Sequence, residues 1–276
     1  MHLVEANGAR IPALGLGTWT LKGEECRRMV EAALAVGYRH IDTAAMYGNE
    51  DAVGAGLRAS TVPRDEIFLT TKIWPTDIGP GDLERAAEAS LRRLGVDHVD
   101  LLLIHWPNLE ISLRRSIGAL NAVRKAGMAR HIGVSNFPSA LLRQAAAFSE
   151  APLVCNQVEY HPYLSQRKLQ EVTRELGMAM VSYCPLHRGG DLFEEPVVKN
   201  IAHWHGKTPA QVILRWHIQQ PGVVAIPRTT KPERLAENFA IADFTLAMSE
   251  MTAISGLSRA GHRICDSAFS AGWDAA

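Results

Sequence analysis

Gly95-Val96-Asp97-His98-Val99-Asp100-Leu101-Leu102-Leu103-Ile104-His105 holds the pattern from which the fold can be read. A glycine opens it, an almost continuous apolar run follows, and an ionisable side chain ends it. Upstream of that glycine, Leu83, Ala86, Ala87, Leu91 and Leu94 recur at helical spacing. An amphipathic helix with one apolar stripe therefore turns at Gly95 into a strand suited to burial on both faces. The same unit recurs on either side. Cys26, Met29, Val30, Ala33 and Leu34 form a second stripe, and Gly37, Gly127 and Gly177 each separate a helical segment from the next apolar run.

Strands are predicted at 14–16, 38–42, 67–72, 99–105, 131–134, 154–159, 179–183 and 223–226, eight in all, with helices between them. Repeated right-handed crossovers can close such a series into a barrel or leave it as an open, doubly wound sheet. An open dinucleotide-binding sheet would carry GxGxxG after its first strand, and none occurs. The expectation is an α/β fold, a (β/α)8 TIM barrel, formed as one domain over residues 1–276. The stretch 3–12, with Asn7-Gly8 at its centre, reads as a β-hairpin capping the barrel floor. The weakly periodic tail after Leu257 reads as a loop over the mouth.

Composition narrows the function. The chain has 29 Lys plus Arg against 29 Asp plus Glu, so no net field draws it to nucleic acid or an anionic membrane. No apolar stretch reaches the length of a membrane span, and the N-terminal residues lack the pattern of a signal peptide. Cys26, Cys155, Cys184 and Cys265 are widely spaced and read as reduced thiols. The expectation is a cytoplasmic, monomeric protein acting on small molecules. His40, His98, His131, His161, His187, His203, His205, His217 and His262 form no ligand constellation, so no metal is assigned.

In a barrel, the carboxyl ends of the strands share one mouth, where barrel enzymes place their chemistry. Asp42, Lys72 and His105 each end an apolar run, and Tyr47 follows Asp42 in the adjoining loop. Asp42 would hold Lys72 charged. The ammonium would favour the phenolate of Tyr47 and lower its pKa from the usual value near 10, making it a general acid, while His105 would orient a carbonyl oxygen. Taken singly, each has a structural alternative: a helix cap, a solvated strand end, a satisfied core histidine. Four together at one mouth favour catalysis.

Asp42-Thr43-Ala44-Ala45-Met46-Tyr47-Gly48-Asn49-Glu50 resembles the first signature of the aldo-keto reductase family. Leu102-Leu103-Ile104-His105-Trp106-Pro107, Gly133-Val134-Ser135-Asn136-Phe137 and the stretch from Ile226 to Asn238 are similar to three further family landmarks. The likeness runs from Gly15 to Trp273, and within the family it resembles the bacterial 2,5-diketo-D-gluconate reductases. It implies carbonyl reduction with NADPH, with Tyr47 as proton donor, Lys72 and Asp42 as its electrostatic partners and His105 as carbonyl orienter.

For the cofactor, the resemblance implies Ser135, Asn136 and Gln157 at the carboxamide and Tyr183 stacked on the ring. Gly17, Thr18 and Trp19 approach from the first strand, alongside Asp42, Cys184, Leu186 and Ile226. Arg228, Thr229, Thr230 and Arg234 would hold the adenosine phosphate, and Glu237 and Asn238 the adenine. Arg228-Thr229 stands where the family has Lys-Ser, which keeps NADPH favoured and admits some NADH use. Trp19, Trp74, Trp106 and Trp273, with Tyr47 and His105, would wall a narrow pocket for a keto sugar acid or a dicarbonyl. Trp204 and Trp216 are assigned to the outer core. Two other readings are open: a cofactor-binding regulatory subunit resembling potassium-channel β subunits, and a barrel aldolase using Lys72 as nucleophile. Asp42, which would keep Lys72 charged, argues against the aldolase.

Overall fold

The computed structural model describes residues 2–274. An antiparallel hairpin comes first, β1 (Leu3–Ala6) and β2 (Ala9–Pro12), turned at Asn7 and Gly8 with φ of 44° and 85°. Positive φ at both turn positions matches the twist of a two-residue hairpin, which is why Asn-Gly sits there. The Asn7 side-chain amide donates to the carbonyls of Leu153 and Leu176, fixing the hairpin beneath the sheet at the start of a later strand.

Eight parallel strands follow in chain order: β3 (Leu16–Gly17), β4 (His40–Asp42), β5 (Phe68–Ile73), β6 (Val99–Ile104), β7 (Ala129–Ser135), β8 (Leu153–Glu159), β9 (Ala179–Tyr183) and β10 (Val223–Ala225). Each pairs with the next. The ring is completed where Leu14 bridges Ala225, with Gly15 N donating to Ala225 O at 2.9 Å and Ala225 N to Ala13 O at 2.8 Å. The protein is thus an α/β barrel of the (β/α)8 type. Every residue of β5, β6 and β8 is buried, as strands covered by helices outside and side chains inside must be.

The helices present the expected stripes. In the helix Gly23–Val36 the buried residues are Cys26, Met29, Val30, Ala33 and Leu34. In Asp82–Leu94 they are Leu83, Ala87, Ser90, Leu91 and Leu94, and the helix stops at Gly95, whose φ of 68° turns the chain into β6. The short helix Glu50–Ala59 lies between these two, and its glycines permit the approach: a Cβ on Gly54 would stand 2.0 Å from Leu94 O, and one on Gly56 2.7 Å from Arg27 O.

One assignment is corrected. Trp216 is buried, but Trp204 is 82% exposed. In the helix Pro196–His205 the buried stripe is Val198, Ile201 and Ala202, and at 3.6 residues per turn Trp204 falls to one side of it. Among the described residues, no helix is long and apolar enough to cross a membrane. From Ser258 to Asp274 the chain forms neither helix nor strand and runs over the carboxyl ends of the strands.

Candidate active site

The register of the sheet brings the ionisable strand ends together. Gly17 pairs with Asp42, and β4 and β5 pair in parallel so that Lys72, two residues beyond Asp42's partner Thr70, can reach back to it. Lys72 Nζ donates to Asp42 Oδ1 at 2.5 Å and to Thr43 O at 2.8 Å, and stands 3.5 Å from the Tyr47 hydroxyl. Both Lys72 and Asp42 are buried. An ion pair so buried is maintained only where further hydrogen bonds complete it. Gln157 Nε2 completes this one, donating to Asp42 Oδ2 at 2.8 Å from across the barrel.

His105, just beyond β6, presents its ring to Tyr47 (centroids 5.7 Å apart) and to Trp74 (5.3 Å). Burial, with the Lys72 ammonium beside it, drives its pKa well below the usual histidine value, so the imidazole is neutral. Its Nδ1 is buried with no hydrogen-bond partner among the described residues.

Tyr47 departs from the sequence expectation. Its pKa is pushed well above 10, first by burial and then by the charge of Asp42. The ammonium that was to lower it is engaged by Asp42 and Thr43, while burial itself lowers the pKa of Lys72. Tyr47 is therefore a fully protonated phenol, with a cation placed where a phenolate would form.

These groups floor a cavity of about 470 Å3 that continues as a groove to the end of β10. At the near end, Asn136 is held in a left-handed conformation, φ 63°, by its own side chain. Its Nδ2 donates to His105 O and Ser135 Oγ, and its Oδ1 accepts from Tyr183 Oη. Gly17 passes so near β10 that a Cβ would meet Ile226 O at 2.8 Å. At the far end are Arg228, Thr229, Thr230 and Arg234.

The cavity thus gathers most of the expected residues, including Thr18, Trp19, Trp74, Trp106, Cys184, Leu186 and Ile226. Five fall outside its lining. Lys72 is fully buried behind it, its ammonium given to Asp42 and to Thr43 O. Ser135 is fully buried and gives its hydroxyl to Gln157 O, orienting Asn136 from behind. Glu237 accepts from Thr208 Oγ1, and Asn238 is buried in its helix. Trp273 packs edge-on against Trp106 and beneath the Arg263 guanidinium, one layer behind the wall.

Sequence reasoning missed Arg188, Phe193, Cys265, Asp266 and Ser267, all on the lining. For Cys265, Asp266 and Ser267 the advance sign was the tail's reading as a loop over the mouth, which did not single out residues; for Arg188 and Phe193 it was the Gly189-Gly190 pair, which marks a tight turn but not its direction. In the structure Arg188 reaches across the groove, its guanidinium 5.4 Å from the Trp19 ring. Among the described residues no group of acidic, histidine or cysteine side chains is placed to hold a metal.

The donor set fits a long, polar, anionic cofactor: arginines and hydroxyls at one end, amides and an aromatic ring at the other, beside an unpaired imidazole. Comparison with known proteins points the same way. Residues 13–259 match the model of the Aldo/keto reductase family. An aldo-keto reductase of Mycolicibacterium smegmatis is 46% identical over 91% of both chains. A methylglyoxal reductase of Yersinia pestis is 40% identical over 91% of this chain and 90% of its own. A crystal structure provisionally named as a 2,5-diketo-D-gluconic acid reductase B superposes with a TM-score of 0.97 at 47% identity, covering 100% of this chain and 98% of that one. A mutant of Gox0644 in complex with NADPH superposes with a TM-score of 0.89 at 36% identity, covering 96% of each chain.

Proposed function

The chain belongs to the aldo/keto reductase family, a family of oxidoreductases, and we propose that it reduces a small, polar aldehyde or ketone with NADPH, using Tyr47 as the acid. Residues 1–276 act in this reading as one barrel domain. The observation that carries it is the placement of the Tyr47 hydroxyl 3.5 Å from Lys72 Nζ of a buried ion pair, with the His105 ring facing it at the bottom of the groove.

Bound NADPH supplies the hydride to the carbonyl carbon. The protein's part is position and charge. Tyr47 Oη and the cavity-facing edge of His105 receive the carbonyl oxygen, so that charge building there meets two hydrogen-bond donors already in place. As that oxygen becomes an alkoxide it is far more basic than a phenolate, and the proton on Tyr47 moves to it despite the raised pKa. Lys72 Nζ then faces the phenolate left behind, and Asp42 fixes the lysine's position. Asn136, Gln157 and Tyr183 orient the nicotinamide end. Arg228 and Arg234, with Thr229 and Thr230, hold the phosphate of the far ribose, where forked guanidinium donors suit NADPH better than NADH.

Trp19, Trp74 and Trp106 make the upper wall apolar above this polar floor. That shape takes a short dicarbonyl or a keto sugar acid, and the relatives named for methylglyoxal and 2,5-diketogluconate support the choice. The test is consumption of NADPH, then NADH, against methylglyoxal, 2,5-diketogluconate, glyceraldehyde and a nitrobenzaldehyde. Turnover that favours NADPH and a polar dicarbonyl is expected. Tight NADPH binding with no turnover on any of them would overturn the reading in favour of a cofactor-binding regulatory protein.

A further inference from the structure

Cys184 and Cys265 are 81 residues apart in sequence, yet their Sγ atoms lie 3.7 Å apart on the wall of the cavity. We propose that this pair is an oxidisable dithiol whose disulfide staples the C-terminal segment to the end of β9 and locks the bridge over the cofactor groove.

The contact is constructed from both sides. Glu159, at the end of β8 and fully buried, accepts from the backbone N–H of Ile264 at 2.8 Å and of Cys265 at 2.7 Å. These bonds hold the tail's backbone at the place where Cys265 faces Cys184. On the other side, Cys184 leaves β9 with a φ of 48°, and the next carbonyl, Pro185 O, meets the buried His217 Nε2 at 3.1 Å.

Only this pair of the four thiols is open to reagents. Cys26 and Cys155 are fully buried, and burial pushes the Cys26 thiol up to about 12. Cys184 and Cys265 are partly exposed. The contact with Cys184, assisted by Arg188, whose Nη2 is 4.0 Å away, holds Cys265 below the ordinary thiol range. With the Arg188 guanidinium beside its sulfur to favour a thiolate, Cys265 is the attacking sulfur. With a hydroperoxide as oxidant, its thiolate takes the terminal oxygen, the O–O bond breaks, and the alcohol or water leaves, giving a sulfenic acid. The Cys184 thiol attacks that sulfur, the S–O bond breaks, and water leaves with the Cys184 proton. Two electrons pass to the peroxide, and a thiol reductant reverses the change. Closing the gap from 3.7 Å to the roughly 2.0 Å of a disulfide asks for side-chain rotation and a small shift of an irregular tail.

The consequence follows from where the bridge is rooted. His187, Arg188, Gly189 and Gly190 all have positive φ, a compact turn that carries Arg188 over the groove to Trp19. In the reading of the groove as an NADPH site, on which this step rests, the cofactor leaves when that turn lifts. Tying its root to the tail raises the cost of lifting.

The test uses the full-length protein, reduced and then treated with hydrogen peroxide. Alkylation of the remaining thiols and peptide mass mapping should show a Cys184–Cys265 cross-link with the mass of two hydrogens lost. The cross-link should be absent in Cys265→Ser and in Cys184→Ser and reversed by dithiothreitol. Oxygen adducts on Cys265, or cross-links between molecules, with no internal disulfide would overturn the proposal. NADPH release, followed by its fluorescence, should be about tenfold slower in the oxidised protein than in the reduced one. Peroxide should leave it unchanged in Cys265→Ser. A cross-link with unaltered release would overturn the locking step. If neither redox state bound NADPH, the cofactor reading would fail while the disulfide result stood.

Discussion

The phenol of Tyr47 is acted on by three neighbours in different ways. Burial and Asp42 keep its proton on, Lys72 waits 3.5 Å away for the charge that proton would leave, and His105 faces its ring as a neutral group. Two expectations follow. Tyr47→Phe removes the transferable proton and little else, so kcat/KM for carbonyl reduction should fall by about a thousandfold while NADPH affinity is kept. Fluorescence titration and steady-state turnover together check this. Because Tyr47 titrates well above 10 and His105 well below 6.5, the reduction rate should be level from roughly pH 6 to 8 and decline only in strong alkali. A rate profile that breaks near neutrality would contradict the assignment. The four ionisable residues were legible because each ends an apolar run or follows one closely. The direction of the Tyr47 shift was not, since it depends on how deeply the ring is buried and on where the lysine's hydrogen bonds go.

Elements are held together by approach distances that a sequence shows only indirectly. The helix Glu50–Ala59 sits so near its neighbours that Gly54 faces the carbonyl of Leu94 with no room for a methyl group. Gly54→Ala should therefore lower stability by about 2 to 3 kcal/mol, moving the midpoint of urea unfolding without changing its slope. A stability equal to wild type would show that the helices can part freely. The strands and the helical stripes were readable from apolar spacing, as the buried set of Gly23–Val36 shows. Trp204 was misread because one large apolar residue near a stripe looks like part of it until the helical angle is applied. The tail's lack of regular structure was foreseen. Its anchoring was not, because Glu159 takes up backbone N–H groups and Asp274 caps the helix Ser139–Phe148 through Ser139, contacts that leave no periodic trace.

For the molecule as a whole, the neutral histidines in the core link stability to acid. His40, His105 and His217 are all depressed below 6.5 by burial, His217 to about 3. The unfolded chain takes up protons near pH 6.5 that the folded core refuses, so stability is full above that value and is lost as pH falls from it toward 3. At pH 5 the His217 share of the loss is about 2 kcal/mol, and His217→Gln should reduce the acid dependence of the unfolding free energy by that amount. An unfolding free energy constant from pH 7 to about pH 5 would refute it. The eight repeated units were legible but fit an open sheet as well as a barrel, and it was the absence of GxGxxG that favoured closure; the convergence of β3, β9, β10 and the tail on one groove is a property of the closed ring. That groove's purpose is the central claim, and NADPH deuterated at its transferable position tests it most directly. Incubated with methylglyoxal or 2,5-diketogluconate, the protein should place the deuterium on the former carbonyl carbon of the alcohol product. Cofactor that binds and remains fully labelled, with no alcohol formed, would contradict the account.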